Sequence, residues 1–355
     1  MTNNTLHIAK AAKRDEFYTQ YKDIEKEVKN YVAYNPNVFK GKTILLPCDD
    51  PEWSNFTKYF ADNFTKFGIK KLISTSYAYS LSNREISKFE RESPYFSEEK
   101  HWKCGKVFII DSDKDNSGTI DFNDIRFNYL HGDGDFRSGE VTKLRDEADI
   151  IITNPPFSKF RDFFKWIIEA NKKFLIIGSV NCITYKEVFN LIKDNKIWLG
   201  TGLGRWISGF IVPQNYDLYG SEAGISSEGQ RIVSTNSALW LTNLEHNKRH
   251  EMMPLKTMSD NLKNNKKVLN RFKKKYNVET YPKYDNYDAI EVPYTDAIPK
   301  NYDGVMGVPI TFLDKYNPDQ FELIKFRKGN DGKDLRVNGK CPYFRILIKA
   351  KKQEK

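Results

Sequence analysis

The stretch Asp149 to Phe157, Asp-Ile-Ile-Ile-Thr-Asn-Pro-Pro-Phe, constrains the fold more than any other part of the chain. Ile150, Ile151, Ile152 and Thr153 are all β-branched and form a short continuous run. Such a run reads as a strand of a parallel sheet covered on both faces. Pro155 and Pro156 end its ladder, because neither has an N–H to donate. Lys159 to Asn171 then carries Phe, Trp and Ile at helical spacing. The four residues Asn154-Pro155-Pro156-Phe157 therefore occupy a strand-to-helix loop at the carboxyl edge of a sheet. In open α/β folds ligands bind at that edge.

The chemistry of the loop is specific. The Asn154 side-chain carbonyl and the Pro155 backbone carbonyl both suit an exocyclic amine as hydrogen-bond donor. Two such acceptors hold the amine and favour turning its lone pair out of conjugation with the ring. Phe157 offers a face for a planar base, worth roughly 1–3 kcal/mol in comparable stacking sites. The prolines stiffen the loop and lower the entropy cost of positioning. No strong base is required, since an attacking amine can lose its proton after the bond forms. A strand cap followed by a rigid turn would use the same residues without any of this chemistry.

Upstream, Lys42 to Cys48 reads as the first strand. Asp49-Asp50-Pro51 follows, then an aromatic-rich helix from about Trp53 to Phe67, then a second strand from Lys70 to Ser76. This is a βαβ unit. The paired aspartates suit hydroxyls or an ammonium group, and suit the cap of the next helix equally. The absence of Gly-x-Gly-x-x-Gly argues against an NAD phosphate cradle. Ahead of this unit, residues 1–14 form a basic arm. Asp15-Glu16-Phe17-Tyr18-Thr19-Gln20-Tyr21 leads into a helix on which Ile24, Val28 and Tyr31 share a face. The segment reads either as a loop touching a cofactor or as a helix start with Thr19 as its cap.

Beyond the second strand, Ser80 to Lys100 is charged and peripheral, and Val107 to Asp111 is a strand candidate. Asp113 to Asp124 matches the EF-hand calcium loop in its oxygen ligands and its Gly118. Its left flank is strand-like and its last position is Asp rather than Glu. A polar hairpin turn is therefore the expectation, with no metal. Arg126 to Leu130 is another strand. In Gly132-Asp133-Gly134-Asp135-Phe136-Arg137-Ser138, Asp135 is placed to accept from an adenine amine and Phe136 to stack on the ring; an ordinary Gly-Asp turn has the same sequence. After Lys173 to Ser179, a helix spans Lys186 to Asp194 and a short strand Lys196 to Gly200. Residues 205–213 and 231–244 fit a closing antiparallel hairpin, with Gly202, Gly204, Gly209, Gly220, Gly224 and Gly229 marking a linker region.

The net charge of +10 over 355 residues favours a polyanionic partner. From about residue 246 the composition shifts. Lys263, Lys266, Lys267, Arg271, Lys273 and Lys274 fall in a stretch without acidic residues, interleaved with Leu262, Val268, Leu269 and Phe272. That pattern fits a phosphate-contacting helix with one buried face, or an ordinary solvated face. The end of the chain, Phe321 to Lys349, reads as strands around turns at 329–332 and Asn338-Gly339. Cys48, Cys104, Cys182 and Cys341 form no Cys-x-x-Cys pair, which argues against a zinc ribbon and fits a reducing compartment. No run is long enough to cross a bilayer.

Together these motifs resemble the EcoRI-type DNA adenine methyltransferases, within the γ-ordered class of amino-methyltransferases. The resemblance is carried by the segment at 15–21, by Cys48-Asp49-Asp50-Pro51 with Ser54-Asn55-Phe56, by the stretches at 132–138 and 154–157, and by Gly307 to Pro318. It implies an α/β fold, a Rossmann-like methyltransferase sheet over residues 1–246 and a target-recognition region over 247–355. It implies S-adenosylmethionine as donor, held by Phe17, Tyr18, Thr19, Cys48, Asp49, Asp50, Asp133, Asp135 and Phe136. It implies double-stranded DNA as partner, for which the basic stretch of Lys263, Lys266, Lys267, Arg271, Lys273 and Lys274 is the candidate contact. Asn154, Pro155, Pro156 and Phe157 are then the catalytic loop, acting on N6 of an adenine turned out of the helix. A cytoplasmic monomer without a required metal is expected, with a restriction endonuclease as a functional counterpart. Two features depart from the general class: the first loop is not glycine-rich, so Asp49 or Asp50 must hold the ammonium group, and the second strand lacks the acid that usually holds the ribose. RNA or protein-glutamine methylation, and a non-catalytic DNA- or calcium-binding module, are the alternatives.

Overall fold

The β-branched run at 150–153 is buried along its whole length, and the largest sheet of the protein is built around it. A computed structural model describes residues 17–51, 54–78, 86, 88–203, 207–212, 223–225, 229–233, 237–327 and 335–351. The chain divides into two compact units, Met1–Val180 with Gly200–Glu245, and Asn181–Leu199 with His246–Lys355. In chain order the first unit carries β1 (Tyr18–Thr19), α1 (Tyr21–Tyr34), β2 (Thr43–Pro47), α2 (Asn55–Asp62), α3 (Phe64–Phe67), β3 (Lys71–Ser76), α4 (Lys88–Arg91), α5 (Glu98–Lys103), β4 (Lys106–Ile110), β5 (Arg126–Tyr129), α6 (Gly139–Glu147), β6 (Ile150–Thr153), α7 (Phe160–Glu169) and β7 (Lys173–Ser179). It is completed by β8 (Trp198–Leu203), which begins at the boundary, and by β9 (Phe210–Val212), β10 (Ala223–Ile225), β11 (Arg231–Val233) and β12 (Ala238–Thr242).

Eight strands form a mixed sheet in the order β5-β4-β3-β2-β6-β7-β12-β8. β3, β2, β6 and β7 run parallel, while β4, β5 and β12 pair antiparallel. The chain moves outward from β2 to β3 and returns to β6 on the other side of β2. The order therefore reverses between β2 and β6, the position at which open α/β sheets leave a crevice at their carboxyl ends. The β2–β6 ladder covers only Ile44 with Ile150 and Leu45 with Ile151, so the two strands part before their ends. α7 presents Phe160, Phe163, Phe164, Trp166 and Ile167 to the core, a helical stripe that covers one face of the sheet.

The expected closing hairpin is corrected. Only β12 joins the large sheet, between β7 and β8. Phe210–Val212 belongs instead to a separate four-stranded sheet, β1-β9-β11-β10, where it pairs with Tyr18–Thr19 on one side and Arg231–Val233 on the other. The physical reason is length: three-residue strands carry too little alternation to fix a partner, and the buried Phe210 takes its place among aromatic rings from distant segments. Thr19 lies in β1 and does not cap α1, whose N-cap is Gln20. The helix expected from Trp53 to Phe67 is two pieces, α2 and α3, and its cap is Ser54; Trp53 itself lies outside the described residues, as do the basic arm, Asp15, Glu16, Gly204, Gly220 and the turn at 329–332.

The second unit contains α8 (Lys186–Lys193), α9 (Met258–Asn264), α10 (Lys266–Tyr276) and a sheet of β13 (Ala289–Glu291), β14 (Val305–Pro309), β15 (Phe321–Arg327) and β16 (Arg345–Ala350) in the order β13-β14-β16-β15. Glu291 on β13 is buried, and Arg345 on β16 reaches it with two nitrogens, Nε at 2.9 Å and Nη2 at 2.5 Å. Two donors in a planar fork satisfy the carboxylate that burial would otherwise penalise. Asn338 and Gly339 both have positive φ, at 49° and 72°, as the predicted Asn-Gly turn requires. No helix among the described residues is long and apolar enough to cross a membrane.

Candidate active site

Asn154 stands one residue past β6, at the reversal point of the large sheet. Its Nδ2 donates to the carbonyl of Phe17 at 2.6 Å, a bond between positions 137 residues apart. That bond determines which end of the amide faces away from β1. Oδ1 is buried and has no hydrogen-bond partner among the described residues. Buried amide oxygens are nearly always paired, so an acceptor left open at a sheet's carboxyl edge suits a donor brought by a ligand. Pro155 is buried, and Pro156 carries the chain into a short turn of helix at 157–159. Thr153 ties the strand ends together by donating its hydroxyl to the carbonyl of Pro47.

Phe157 is half-buried and meets Phe17 and Phe210 edge-on, with centroid distances of 5.8 and 6.1 Å. Phe17 and Phe210 are themselves 5.8 Å apart in a T-shaped contact. Edge-to-face packing of this kind holds a ring at a fixed tilt. The amino-terminal segment is pinned in turn. Asn55 Nδ2 donates to the Thr19 carbonyl at 2.9 Å, and Gln20 Nε2 donates to Gly209 O at 2.8 Å. Phe210 is a site residue that the sequence did not single out; nothing in its local pattern pairs it with residue 17.

At the end of β2 the chain turns at Cys48, which adopts a left-handed backbone at φ 63°. Burial, with the Asp135 and Asp49 carboxylates nearby, pushes its thiol up to about 12. Asp49 is buried and acts on the following helix: Ser54 Oγ donates to one carboxylate oxygen, and Thr57 N and Oγ1 donate to the other at 3.1 and 2.5 Å. Burial lifts its carboxyl to about 6, against the pull of those donors. Asp49 thus braces the first turn of α2 from outside the helix, whose N-cap is Ser54. Asp50 is buried beside it, and its carbonyl accepts from Ser54 N at 2.7 Å.

The loop at 132–138 lies against the ends of β3 and β4. Ala78 N donates to Asp133 O at 2.7 Å, and Gly105 N donates to Gly132 O at 2.8 Å. A Cβ on Gly134, which has φ 81°, would stand 2.3 Å from the Ser76 carbonyl, and one on Gly105 would stand 2.5 Å from the Gly134 Cα. Three backbones meet there with no room for a side chain. Asp135 accepts from Arg137 Nε at 2.9 Å and Nη2 at 2.7 Å, and lies 3.3 Å from Lys159 Nζ. The Arg137 pair holds its carboxyl well below the usual carboxylate range. Lys159 thereby joins the loop after Phe157 to the loop at 132–138, a role the sequence did not announce. The stacking role expected of Phe136 needs correction: its ring is buried against Phe163 at 5.0 Å and Trp166 at 5.6 Å, with the Arg137 guanidinium over it, so its faces serve the core of α7.

Asp113, Asp115 and Asp124 bring carboxylate oxygens within 4.8 Å of one another. Those oxygens accept from backbone N–H groups of the same turn, including Ser117, Gly118, Lys114 and Asp121. In the second unit, Lys263, Lys266, Lys267, Arg271, Lys273 and Lys274 are all exposed, while Val268, Phe272 and Tyr276 are buried on the other side of α10. Lys273 pairs with Glu279 at 2.9 Å.

An amide acceptor of fixed orientation, with an aromatic ring close by, thus stands at the reversal point of an open sheet, the place where α/β enzymes bind their ligands. Residues 5–351 match the family of adenine-specific methyltransferases described as EcoRI. The chain is 53% identical to the Type II methyltransferase M.EcoRI of Escherichia coli over all of this chain and 98% of that protein. It is 34% identical to M.MgeORF184P of Mycoplasma genitalium and 32% identical to M.MpnI of Mycoplasma pneumoniae, over 96% and 97% of this chain and 97% of each relative. No solved structure matches. The chain belongs to the EcoRI adenine-specific methyltransferase family, whose methyl donor is S-adenosylmethionine.

Proposed function

We propose that this protein methylates N6 of an adenine at a specific site in duplex DNA, as the modification enzyme of a restriction-modification system. The observation that carries the reading is the buried Asn154 Oδ1, unpartnered among the described residues and aimed by the bond from Nδ2 to the Phe17 carbonyl. In this reading Asn154 Oδ1 and the Pro155 carbonyl accept the two N6 protons of an adenine turned out of the stack. Holding both protons presents the nitrogen lone pair for attack, and Phe157 supports the base plane. S-adenosylmethionine, when bound, supplies an electrophilic methyl group. The excess proton leaves N6 after transfer, so the loop needs no strong base. An in-line approach to N6 is not reachable inside the duplex, which is why extrusion belongs to the reading.

The large sheet is read as a Rossmann-like methyltransferase sheet, with the cofactor across the carboxyl ends of β2 and β3. Two further buried oxygens without partners among the described residues, Thr19 Oγ1 and Ser76 Oγ, fit a polar ligand. Asp50, buried on the loop after β2, is assigned the ammonium group and Asp135 the adenosine side. Residues 1–246 act as the catalytic domain. The region 247–355, with its exposed basic face on α9 and α10, acts as the target-recognition region. The protein is read as a cytoplasmic monomer whose counterpart is an endonuclease of the same specificity. Asn154→Ala should abolish transfer of labelled methyl from S-adenosylmethionine to duplex DNA while cofactor binding survives; transfer at near wild-type rate would remove the assignment. Parallel assays on RNA and protein substrates separate the rival acceptors.

A further inference from the structure

At the carboxyl end of β3 stands a buried hydroxyl that methyl transfer from Asn154's side of the crevice leaves unused. Ser76 is 4% exposed, and its Oγ has no hydrogen-bond partner among the described residues. Side chains alternate along a strand, so Ser76 projects to the same face as Ser74. Ser74 Oγ donates to the carbonyl of Asp49, which puts that face toward the loop after β2. The β2–β3 ladder ends at Pro47 with Thr75. Ser76 therefore reaches one residue past the end of β2, beside Cys48 to Asp50. Its carbonyl lies against the backbones of Gly105 and Gly134, where an added Cβ would stand 2.7 and 2.3 Å away.

We propose that Ser76 holds a ribose hydroxyl of S-adenosylmethionine, at the strand end where nucleotide-binding α/β sheets place a carboxylate. The inference rests on the reading that lays the cofactor across the ends of β2 and β3. The charge already present explains the choice of residue. Asp49 and Asp50 lie on the adjoining loop, and the Asp135 carboxylate is close enough to raise the Cys48 thiol. A further carboxylate would add repulsion to a buried site, whereas a serine hydroxyl donates and accepts without charge.

The test is calorimetric titration of the whole protein with S-adenosylhomocysteine and its 2′-deoxy and 3′-deoxy analogues. Ser76→Ala should weaken S-adenosylhomocysteine about fivefold to tenfold, the size of one neutral hydrogen bond. It should also erase the wild type's discrimination against one of the deoxy analogues, and Ser76→Thr should keep it. The melting temperature of the ligand-free Ser76→Ala protein should not fall, because no hydrogen bond to a described residue is removed. Wild-type ratios for all three ligands in Ser76→Ala would overturn the inference, as would a lowered ligand-free melting temperature with unchanged affinity. Asp50→Asn and Asp135→Asn, titrated alongside, separate the two levels. If they weaken binding and Ser76→Ala does not, only the serine assignment fails; if none of the three does, the cofactor placement fails with it.

Discussion

Cys48 is a side chain in a backbone conformation that glycine adopts more readily, at the turn where the general class is glycine-rich. A left-handed backbone costs an ordinary residue roughly 1–2 kcal/mol, while glycine gives back part of that in chain entropy. Cys48→Gly should therefore change stability by less than about 1 kcal/mol, whereas the β-branched Cys48→Val should lose about 2 kcal/mol or more in urea unfolding. Asp135 sets a different dependence. Its carboxyl is depressed in the folded protein by Arg137, so its contribution is fully present above the ordinary carboxylate pKa, near 4. It is lost as pH falls through the lower folded value. Arg137→Gln should remove part of the stability loss seen below about pH 4, measured as melting temperature against pH for both proteins. An identical acid limb in the two would show that the pair is inert.

α10 (Lys266–Tyr276) divides its residues by face: Val268, Phe272 and Tyr276 inward, Lys266, Lys267, Arg271, Lys273 and Lys274 outward. Phe272→Ala should cost about 3–5 kcal/mol of stability, the usual range for emptying a buried aromatic site. Lys266→Ala and Lys267→Ala should instead leave stability alone and flatten the salt dependence of DNA binding, by about one unit of slope for each phosphate no longer neutralised. This division was legible in the sequence, because a 3.6-residue period with unbroken basic charge leaves few alternatives. β6 was legible for a similar reason, its β-branched run being closed by two prolines. The sheet of β1, β9, β10 and β11 was not, since strands of two or three residues carry no period and their pairing is fixed by ring packing across the chain. Phe136 misled because Asp-Phe reads the same whether the ring meets a ligand or α7; only its packing against Phe163 and Trp166 decides. Asp49 offered two roles on paper, and in the structure its carboxylate accepts from Ser54 and Thr57, five and eight residues on.

For the molecule as a whole, the charge of +10 gives association with duplex DNA a strong ionic component. The logarithm of the binding constant should fall linearly with the logarithm of salt concentration, and a flat response in a filter or fluorescence titration would contradict a phosphate-tracking surface. Cofactor at about a hundred times its dissociation constant should raise folding stability by about 2.7 kcal/mol.

The grip of the Phe17 carbonyl on Asn154 has a practical corollary. An amide otherwise able to rotate is held by a peptide group 137 residues away, so the direction of its oxygen depends on how residues 17–20 are seated. Asn55→Ala with Gln20→Ala, which removes the bonds that seat this segment, should leave the Asn-Pro-Pro-Phe turn intact yet let the oxygen swing. On the proposed reading such a protein would methylate slowly, a defect easily mistaken for a lesion in chemistry when it is one of anchorage.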